Sequence, residues 1–482
     1  MKFLKNSYLN LPQDFYSKEL PDVFKNPSLI KINHDLADDF DLDISSLKSE
    51  AGIKILSGSD IPTNLTPIAL AYAGHQFGHF NPQLGDGRAL LLAEIIDKNQ
   101  QKFDVQLKGS GQTIYSRNGD GKSALGPVVR EYVMSEAMHH LGISTTRSLA
   151  IVKTGEFVAR QQIEPGGILT RVAASHIRVG SFEYFAAKGD VDSIKILADF
   201  AIERHYKVCL RSENPYLEFL RHVIDAQARL ICDWMRVGFI HGVMNTDNMT
   251  ISGETIDYGP CAFLDAYDLN KAFSAIDVNK RYAFGNQAAI ASWNLTRLAE
   301  SLLPLLDEDI DKSVAMAKEE LAKFGENYRQ YWLDMMRQKF GLCEKRDEDL
   351  ELIQEFLAII QNLGSDYTLS FRYLSGDLES EVSFLEDADY LIFAKKLETR
   401  LTFETLKSKD RSSLMNLVNP VYIPRNHILE EAIKDVVEND DVTKMEKLLE
   451  VMKDPYQRQD NCDYYALPPE EVDDDYRTFC GT

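Results

Sequence analysis

Apolar and polar positions divide the chain into an early strand-rich part and a later helix-rich part. Residues 89–96 form a short, almost continuous apolar run of the kind found in buried strands. Residues 103–108 alternate in polarity, as half-buried strands do. Between 127 and 141 apolar residues recur at helical spacing, with Pro127 at the start and Gly142 at the stop. Further strand-like runs follow from Ser148.

Beyond about residue 190 the pattern is helical. A long amphipathic helix from 217 to 235 leads to His241, and further helices are predicted at 287–304, 309–337, 346–363, 381–406, 426–437 and 442–452. Strands with one helix, followed by helices, predict an α+β chain with a two-lobed, protein kinase-like fold: a small β-rich N-lobe and a large helical C-lobe. The predicted units are an N-terminal extension packed on the core (1–60), a nucleotide-binding N-lobe (61–187), a helical C-lobe (188–453) and an acidic tail (454–482), extended or disordered.

Composition and charge narrow the classes of partner. The formal net charge of −22 argues against nucleic acid or an anionic membrane surface as the main partner, because such surfaces need basic patches. No apolar run reaches the length of a membrane span, and the first residues lack the apolar core of a signal peptide. We therefore expect the protein to reside in the cytoplasm. The six cysteines have no zinc-like spacing, and only Cys480, near the C-terminus, is placed to react.

The segment from His241 to Gly259 carries the strongest candidate chemistry. Asn248 and Asp257 supply an amide and a carboxylate nine residues apart, which suits Mg²⁺ held partly by phosphates. His241 and Asn248 keep the spacing of a kinase catalytic loop, and Asp257 opens an Asp-Tyr-Gly variant of the Asp-Phe-Gly motif. Val243 occupies the usual base position, so Asp247 is the replacement carboxylate. A polar turn after a helix would also explain these residues.

Phosphate-binding candidates precede this segment. Lys108 ends a strand beside a glycine loop, as the phosphate-pairing lysine of kinases does. Either Glu131 or Glu136 on the following helix could hold it. Arg171 and Arg178 lie among apolar residues in an acidic chain, which indicates an anion site. The Gly85-Asp86-Gly87 turn is weaker evidence for phosphate binding, because glycines are common in turns of every kind.

Several long motifs resemble the selenoprotein O family. They are Tyr-Ala-Gly-His-Gln-Phe-Gly at 72–78, Gln-Leu-Gly-Asp-Gly-Arg at 83–88, Gln-Leu-Lys-Gly-Ser-Gly at 106–111, Ser-Glu-Ala-Met at 135–138 and His-Gly-Val-Met-Asn-Thr-Asp-Asn at 241–248. The resemblance spans about residues 60–430. It implies a kinase-like fold that binds ATP in an inverted orientation and transfers AMP to Ser, Thr or Tyr hydroxyls of proteins.

The resemblance also implies a role for individual residues. Lys108 would pair with Glu131, and Lys108, Arg171 and Arg178 would hold the phosphates. Asn248 and Asp257 would bind Mg²⁺ or Mn²⁺, and Asp247 would accept the proton. The residues implied to line the nucleotide are Gly85, Gly87, Arg88, Asp120 and Gly121.

Two departures from the family pattern affect these expectations. The helix entry at residues 125–128 lacks the polar or basic run that the family often carries, so phosphate contacts there are not expected. Some members link a C-terminal cysteine to one in the loop after the Asp-Tyr-Gly motif. Cys480 fits the first partner, but residues 268–282 contain no cysteine, so no such redox control is expected.

Three functions fit the motifs to different degrees. The leading hypothesis is Mg²⁺-dependent AMP transfer from ATP to protein hydroxyls. A true phosphotransferase is disfavoured by Val243 at the base position. A catalytically silent nucleotide-binding scaffold is disfavoured because it would not need the metal ligands, the lysine and its glutamate together.

Overall fold

The computed structural model describes residues 3–377, 382–470 and 476–479. The strands in this part of the chain, numbered in order, are β1 (Tyr16–Lys18), β2 (Ser28–Ile32), β3 (Ile68–Leu70), β4 (Gly74–Gln76), β5 (His79–Asn81), β6 (Ala89–Ile96), β7 (Lys102–Lys108), β8 (Ser123–Ala124), β9 (Arg147–Ala159), β10 (Ile163–Ala173), β11 (Phe239–Ile240) and β12 (Ala262–Phe263).

The α-helices are numbered in the same way. They are α1 (His34–Asp39), α2 (Ile44–Lys48), α3 (Glu50–Leu56), α4 (Leu125–His140), α5 (Val179–Ala186), α6 (Val191–His205), α7 (Pro215–Val237), α8 (Gln287–Leu306), α9 (Ile310–Phe340), α10 (Asp349–Asn362), α11 (Tyr367–Leu374), α12 (Ala388–Leu401), α13 (Ser408–Asn416), α14 (Asn426–Asn439), α15 (Thr443–Met452) and α16 (Asp463–Ala466). Short 3₁₀ turns join several of them.

An antiparallel sheet forms the N-lobe, with strand order β1-β3-β6-β7-β10-β9-β2 and β8 paired to β10. Helices α1–α3 contribute Leu36, Leu47 and Leu56 to the core on one face. Helix α4 packs against β9 and β10 with its buried side chains in the other core cluster. Coverage on both faces explains why the predicted strand at 89–96 is almost wholly apolar.

The N-terminal segment does more than pack on the core as an extension. It supplies both edge strands of the sheet, because β1 pairs with β3 and β2 pairs with β9. Strands of three and five residues carry too little periodicity to be recognised in the sequence. The predicted domain limits at 60, 187 and 453 stay predictions.

The second lobe is helical, which confirms the predicted two-lobed, kinase-like layout. Helix α7 packs against α8 and α9 and ends at Gly238, whose φ of 78° suits a glycine cap. The helix predicted from residue 381 begins later, at Ala388, because the Asp387 side chain accepts hydrogen bonds from the Asp389 and Tyr390 N–H groups. None of the described helices has the length and apolar character needed to cross a membrane.

The tail predicted to be extended or disordered is partly folded. The carbonyl of Pro455 accepts hydrogen bonds from the N–H groups of Val421 and Tyr422, and Cys462 and Ala466 are buried. Residues 476–479 also join the main body, where Thr478 pairs with Phe273 and Ala275. The acidic stretch 471–475 lies outside the described residues.

Candidate functional site

A cleft of about 630 Å³ lies between the sheet and the helical lobe, a volume typical of small-ligand sites. It brings together residues that are far apart in the sequence. The predicted site residues that line it are Gly85, Gly87, Arg88, Lys108, Asp120, Gly121, Arg171, Arg178, Asp247, Asn248 and Asp257. Glu131 stands behind Lys108 rather than in the wall of the cleft.

A buried cluster of charges occupies the inner end of the cleft. Lys108 Nζ lies 2.5 Å from Glu131 Oε2 and 2.9 Å from Asp257 Oδ1. Arg171 contacts both carboxylates, and Arg178 Nη1 lies 3.3 Å from Asp257 Oδ2. Three cations thus surround two carboxylates, leaving surplus positive charge. Although burial opposes ionisation, Arg171, Lys108 and Arg178 hold the pKa of Asp257 well below its usual range.

The two candidate glutamates of α4 have different partners. Glu131 accepts hydrogen bonds from Lys108 and Arg171. Glu136 instead accepts from the Arg147 guanidinium at 2.7 and 2.9 Å and from the amide of Asn33 at 2.7 Å. Glu136 therefore anchors the start of β9 and the N-terminal segment, away from the cleft.

The catalytic-loop candidate is held from inside by a buried histidine. His241 Nε2 lies 2.8 Å from the carbonyl of Ile256, and the N–H of Val243 donates to Nδ1 at 3.3 Å. Burial lowers the pKa of His241, so the neutral imidazole can accept the second hydrogen bond. Asp257 adopts a φ of 63°, which is unusual for a residue other than glycine and is common at functional sites.

Asp247 has an unsatisfied carboxylate. Gln76 Nε2 donates to its Oδ2 at 3.3 Å, whereas Oδ1 is buried and has no hydrogen-bond partner among the described residues. Burial raises the pKa of Asp247 to about 6, with Arg178 acting in the opposite direction. Gly74 allows this close packing, since a Cβ there would lie 2.7 Å from Oδ1. An orphaned carboxylate oxygen beside the cleft is a candidate proton acceptor.

Asn248 and Asp257 fit the donor set of a hard divalent cation. The Asn248 amide nitrogen donates to the carbonyl of Val243 at 3.0 Å, which leaves its oxygen for a ligand. Within the described ranges no group of three or more His, Cys, Asp or Glu side chains could hold a metal alone. An amide and one carboxylate suit an ion that completes its shell with phosphate oxygens and water.

The glycine turn at 85–87 forms part of the outer wall. Gly85, at φ 63°, lies so close to the Tyr115 ring that a Cβ would approach within 2.2 Å of it. Across the cleft mouth, Asp120 forms a two-point ion pair with Arg160 at 2.9 and 3.0 Å. That hydrogen bonding to Arg160 lowers the pKa of Asp120. This part of the wall is therefore built from backbone and a neutralised ion pair, and Arg88, Arg117 and Lys122 line the cleft as well.

The segment linking the lobes after β10 offers few free backbone groups. The N–H of Ala174 donates to both carboxylate oxygens of Glu254, and its carbonyl accepts from Arg204 Nε at 3.0 Å. The N–H of His176 donates to Asp104 Oδ2 at 3.1 Å. A nucleobase held here by hydrogen bonds would have to displace these side chains.

Comparisons with known proteins identify the family of this chain. A sequence model of the family described as "Protein adenylyltransferase SelO" matches residues 2–453. The chain belongs to the SelO family. This result confirms the resemblance inferred from the motifs.

SelO relatives match over almost their whole length. "Protein nucleotidyltransferase YdiU" of Bacillus cytotoxicus is 50% identical over 477 residues, covering 99% of this chain and 97% of that protein. The protein of the same name from Rhizobium meliloti is 50% identical over 484 residues, covering 99% of both chains. That of Rhizobium etli strain CIAT 652 is 49% identical over 484 residues, covering 99% of this chain and 97% of the relative.

Several cleft residues of this SelO chain were not predicted from the sequence. The Tyr72 ring stacks on the Arg178 guanidinium at 4.7 Å, and Asn245 Oδ1 accepts hydrogen bonds from Tyr282 Oη and the N–H of Phe77. The family motif at 72–78 lies in the β4–β5 hairpin region, where the turn at Phe77 and Gly78 has positive φ. The Phe-Gly pair was the available signal for that turn. Arg117 also lines the cleft.

One of the two family departures lies within the described residues. The entry of α4 does not line the cleft, and Gly126 there faces Ile433 and Val437 of α14. The expectation about phosphate contacts at this entry stays a prediction. Cys480 lies outside the described residues, so its expected lack of a redox role stays a prediction.

Proposed function

We propose that this SelO chain transfers AMP from ATP to Ser, Thr or Tyr hydroxyl groups of proteins, using Mg²⁺ or Mn²⁺. The observation that carries the proposal is the polarity of the cleft. Lys108, Arg171 and Arg178 converge on Asp257 as buried cations at one end, while glycines, the Asp120–Arg160 ion pair and the less buried Arg88 and Arg117 line the rest. Positioning and charge stabilisation supply most of the catalysis in phosphoryl-group chemistry.

The same polarity supports an inverted nucleotide. A base placed at the inner end would meet the buried cations, and the backbone groups of the segment after β10 are already bonded to Glu254, Arg204 and Asp104. Burying charges without a counter-ion is costly, whereas a polyphosphate is their natural partner. We therefore place the β- and γ-phosphates inward and the nucleoside outward, near Gly85, Gly87, Arg88, Asp120 and Gly121.

The chemistry follows from this orientation. Asp247 accepts the proton of the acceptor hydroxyl as its oxygen attacks the α-phosphorus. The bond between the α-phosphorus and the bridging oxygen breaks, and its electron pair leaves with pyrophosphate. Lys108, Arg171 and Arg178 neutralise the charge that develops on that leaving group. Asn248 and Asp257 would hold the divalent ion, which supplies further charge neutralisation when bound.

The competing functions make different products. A phosphotransferase would attach the γ-phosphate, but Val243 leaves the usual base position without a carboxylate. A silent scaffold would attach nothing. Intact-mass analysis of proteins incubated with this chain, ATP and Mg²⁺ or Mn²⁺ separates the three. We expect an added AMP; an added phosphate or an unchanged mass would contradict the proposal. Residence in the cytoplasm is also part of this proposal.

A further inference from the structure

Beside Ile276 in the cleft wall lie exposed apolar groups and an arginine that has no ion-pair partner in the described part of the chain. We call this region the acceptor surface and define it by Phe80, Ile276, Val278, Lys280, Arg281 and Trp293. Phe80, Ile276 and Val278 are 42%, 58% and 86% exposed. Large apolar residues gathered beside a reaction site mark a surface for a protein partner.

Arg281 is the charged centre of this surface. Its guanidinium stacks on the Trp293 ring at 4.9 Å and lies 5.7 Å from the centre of the Tyr282 ring. In the described part of the chain it has no ion-pair partner, and its Nε is buried without a hydrogen bond. The neighbouring Arg297 also faces Trp293, but it is paired with Glu300 at 2.9 Å.

The loop that carries Arg281 is fixed in place. Buried Asp277 accepts the N–H groups of Arg281 and Tyr282, both at 2.8 Å, so its carboxylate is committed to backbone. Tyr282 Oη then donates to Asn245 in the catalytic-loop candidate at 2.6 Å. The backbone that carries Arg281 is therefore fixed relative to the catalytic-loop candidate, and the Trp293 ring packs against its guanidinium.

The β4–β5 hairpin gives the spacing between the two charges. Gln76 contacts Asp247, and two residues later Gly78 lies beside the Arg281 guanidinium, where a Cβ would come within 3.6 Å of it. Phe77 and Gly78 form the tight β4–β5 turn, so the chain from Gln76 to Gly78 reaches less than the about 7 Å that two extended residues span. A segment running alongside this hairpin with its hydroxyl at Asp247 would bring a side chain two or three residues away to Arg281.

We infer that Arg281 selects protein acceptors with an Asp or Glu two or three residues from the modified hydroxyl. This inference rests on the AMP transfer proposed above. Charge complementarity carries this inference. With a net charge of −22, the chain as a whole repels acidic partners. A carboxylate of a bound protein is therefore stabilised most beside a local cation, such as the Arg281 guanidinium, that has no counter-ion. Exposed Lys280 adds a second positive charge beside it.

Peptide libraries with one hydroxyl residue test the inference, using full-length protein and ATP labelled at the α-phosphate. The flanking positions carry Asp, Asn or Lys. We expect about a fivefold preference in kcat/KM for Asp over Asn, the size of a favourable exposed ion pair. Arg281→Gln should reduce that preference below about 1.5-fold by raising KM, and Arg281→Glu should favour Lys. Folding is checked by circular dichroism and by binding of a fluorescent ATP analogue.

The matched control is Arg329→Gln, an exposed arginine of α9 that removes the same charge away from the cleft. It should keep the wild-type preference. Equal labelling of all three peptides by the wild type, or an unchanged preference in Arg281→Gln, would overturn the inference while leaving AMP transfer intact. No α-label in any peptide or in the chain itself would overturn the proposed function, and the inference with it.

Discussion

The ammonium of Lys108, at the end of β7, lies 2.9 Å from Oδ1 of Asp257, which follows the catalytic-loop candidate. This contact joins the sheet to the helical lobe across the floor of the cleft. It also places the proposed phosphate-binding cation beside a proposed metal ligand. Both groups are therefore placed to face the same polyphosphate.

Replacing Lys108 should remove activity without unfolding the protein. In Lys108→Ala, Arg171 still neutralises Glu131 and Asp257, so the buried carboxylates keep a partner. We expect loss of most AMP transfer with a thermal midpoint close to that of wild type. Transfer assays and thermal melts check this, with the exposed Lys98→Ala as the matched control. Normal turnover and ATP affinity would remove the lysine from the site.

Changes at the proposed metal ligands should differ in severity. Asp257→Ala removes a charged ligand and should abolish transfer at any Mg²⁺ concentration. Asn248→Ala removes a neutral ligand, so raising Mg²⁺ or Mn²⁺ should recover part of the rate. Metal titrations of both variants are the measurement. Full activity of Asp257→Ala with Mg²⁺ would disprove the assignment.

Substitutions at the two glutamates of α4 should have different effects, one on catalysis and the other on stability. Glu131→Gln weakens the clamp on Lys108 and Arg171 and should lower transfer strongly. Glu136→Gln removes the carboxylate that holds Arg147 and should lower the free energy of unfolding by about 1–3 kcal/mol, with activity per folded molecule unchanged. Denaturant titration and rate assays on the same preparations decide this. The reverse pattern would exchange the two roles.

Asp247→Asn tests the proton acceptor. General-base assistance contributes about 10²–10⁴-fold, so transfer should fall by about that factor while ATP still binds. The companion variant Val243→Asp restores a carboxylate at the usual kinase position. With the nucleotide inverted, it faces the wrong phosphate and should create no γ-phosphoryl transfer. A working kinase from Val243→Asp, with Asp247→Asn fully active, would contradict the mechanism.

Glu254 should make stability depend on pH. Burial raises its pKa from 4.5 to about 7, so the folded state holds this proton more tightly than the unfolded state does. Its contribution to stability is therefore full at low pH and is lost as pH rises from about 4.5 to about 7. Glu254→Gln, which can still accept the Ala174 N–H, should be more stable than wild type by about 1–3 kcal/mol at pH 8 and similar at pH 4.5. Parallel pH profiles of unfolding free energy that never diverge would contradict this.

Sequence patterns predicted the parts of this molecule that are local. The layout of strands before helices and the long helix α7 follow from periodicity, and Lys108, Asn248 and Asp257 occupy recognisable positions in short motifs. Contacts between distant segments were not predictable, because periodicity does not report them. Two examples are the pairing of the edge strands β1 and β2 and the hydrogen bond that the Ala174 N–H donates to Glu254. The packed tail was missed because its acidic composition masks a few buried anchors such as Cys462.

A single reaction with doubly labelled ATP tests the central claim most directly. One phosphorus isotope marks the α-position and another marks the γ-position, with a hydroxyl-bearing protein as acceptor and Mg²⁺ or Mn²⁺ present. We predict that the α-isotope appears in protein in equal amount to the pyrophosphate released, and that the γ-isotope leaves ATP only as pyrophosphate. Recovery of the γ-isotope on protein, with the α-isotope left in ADP, would contradict AMP transfer and the inverted nucleotide together.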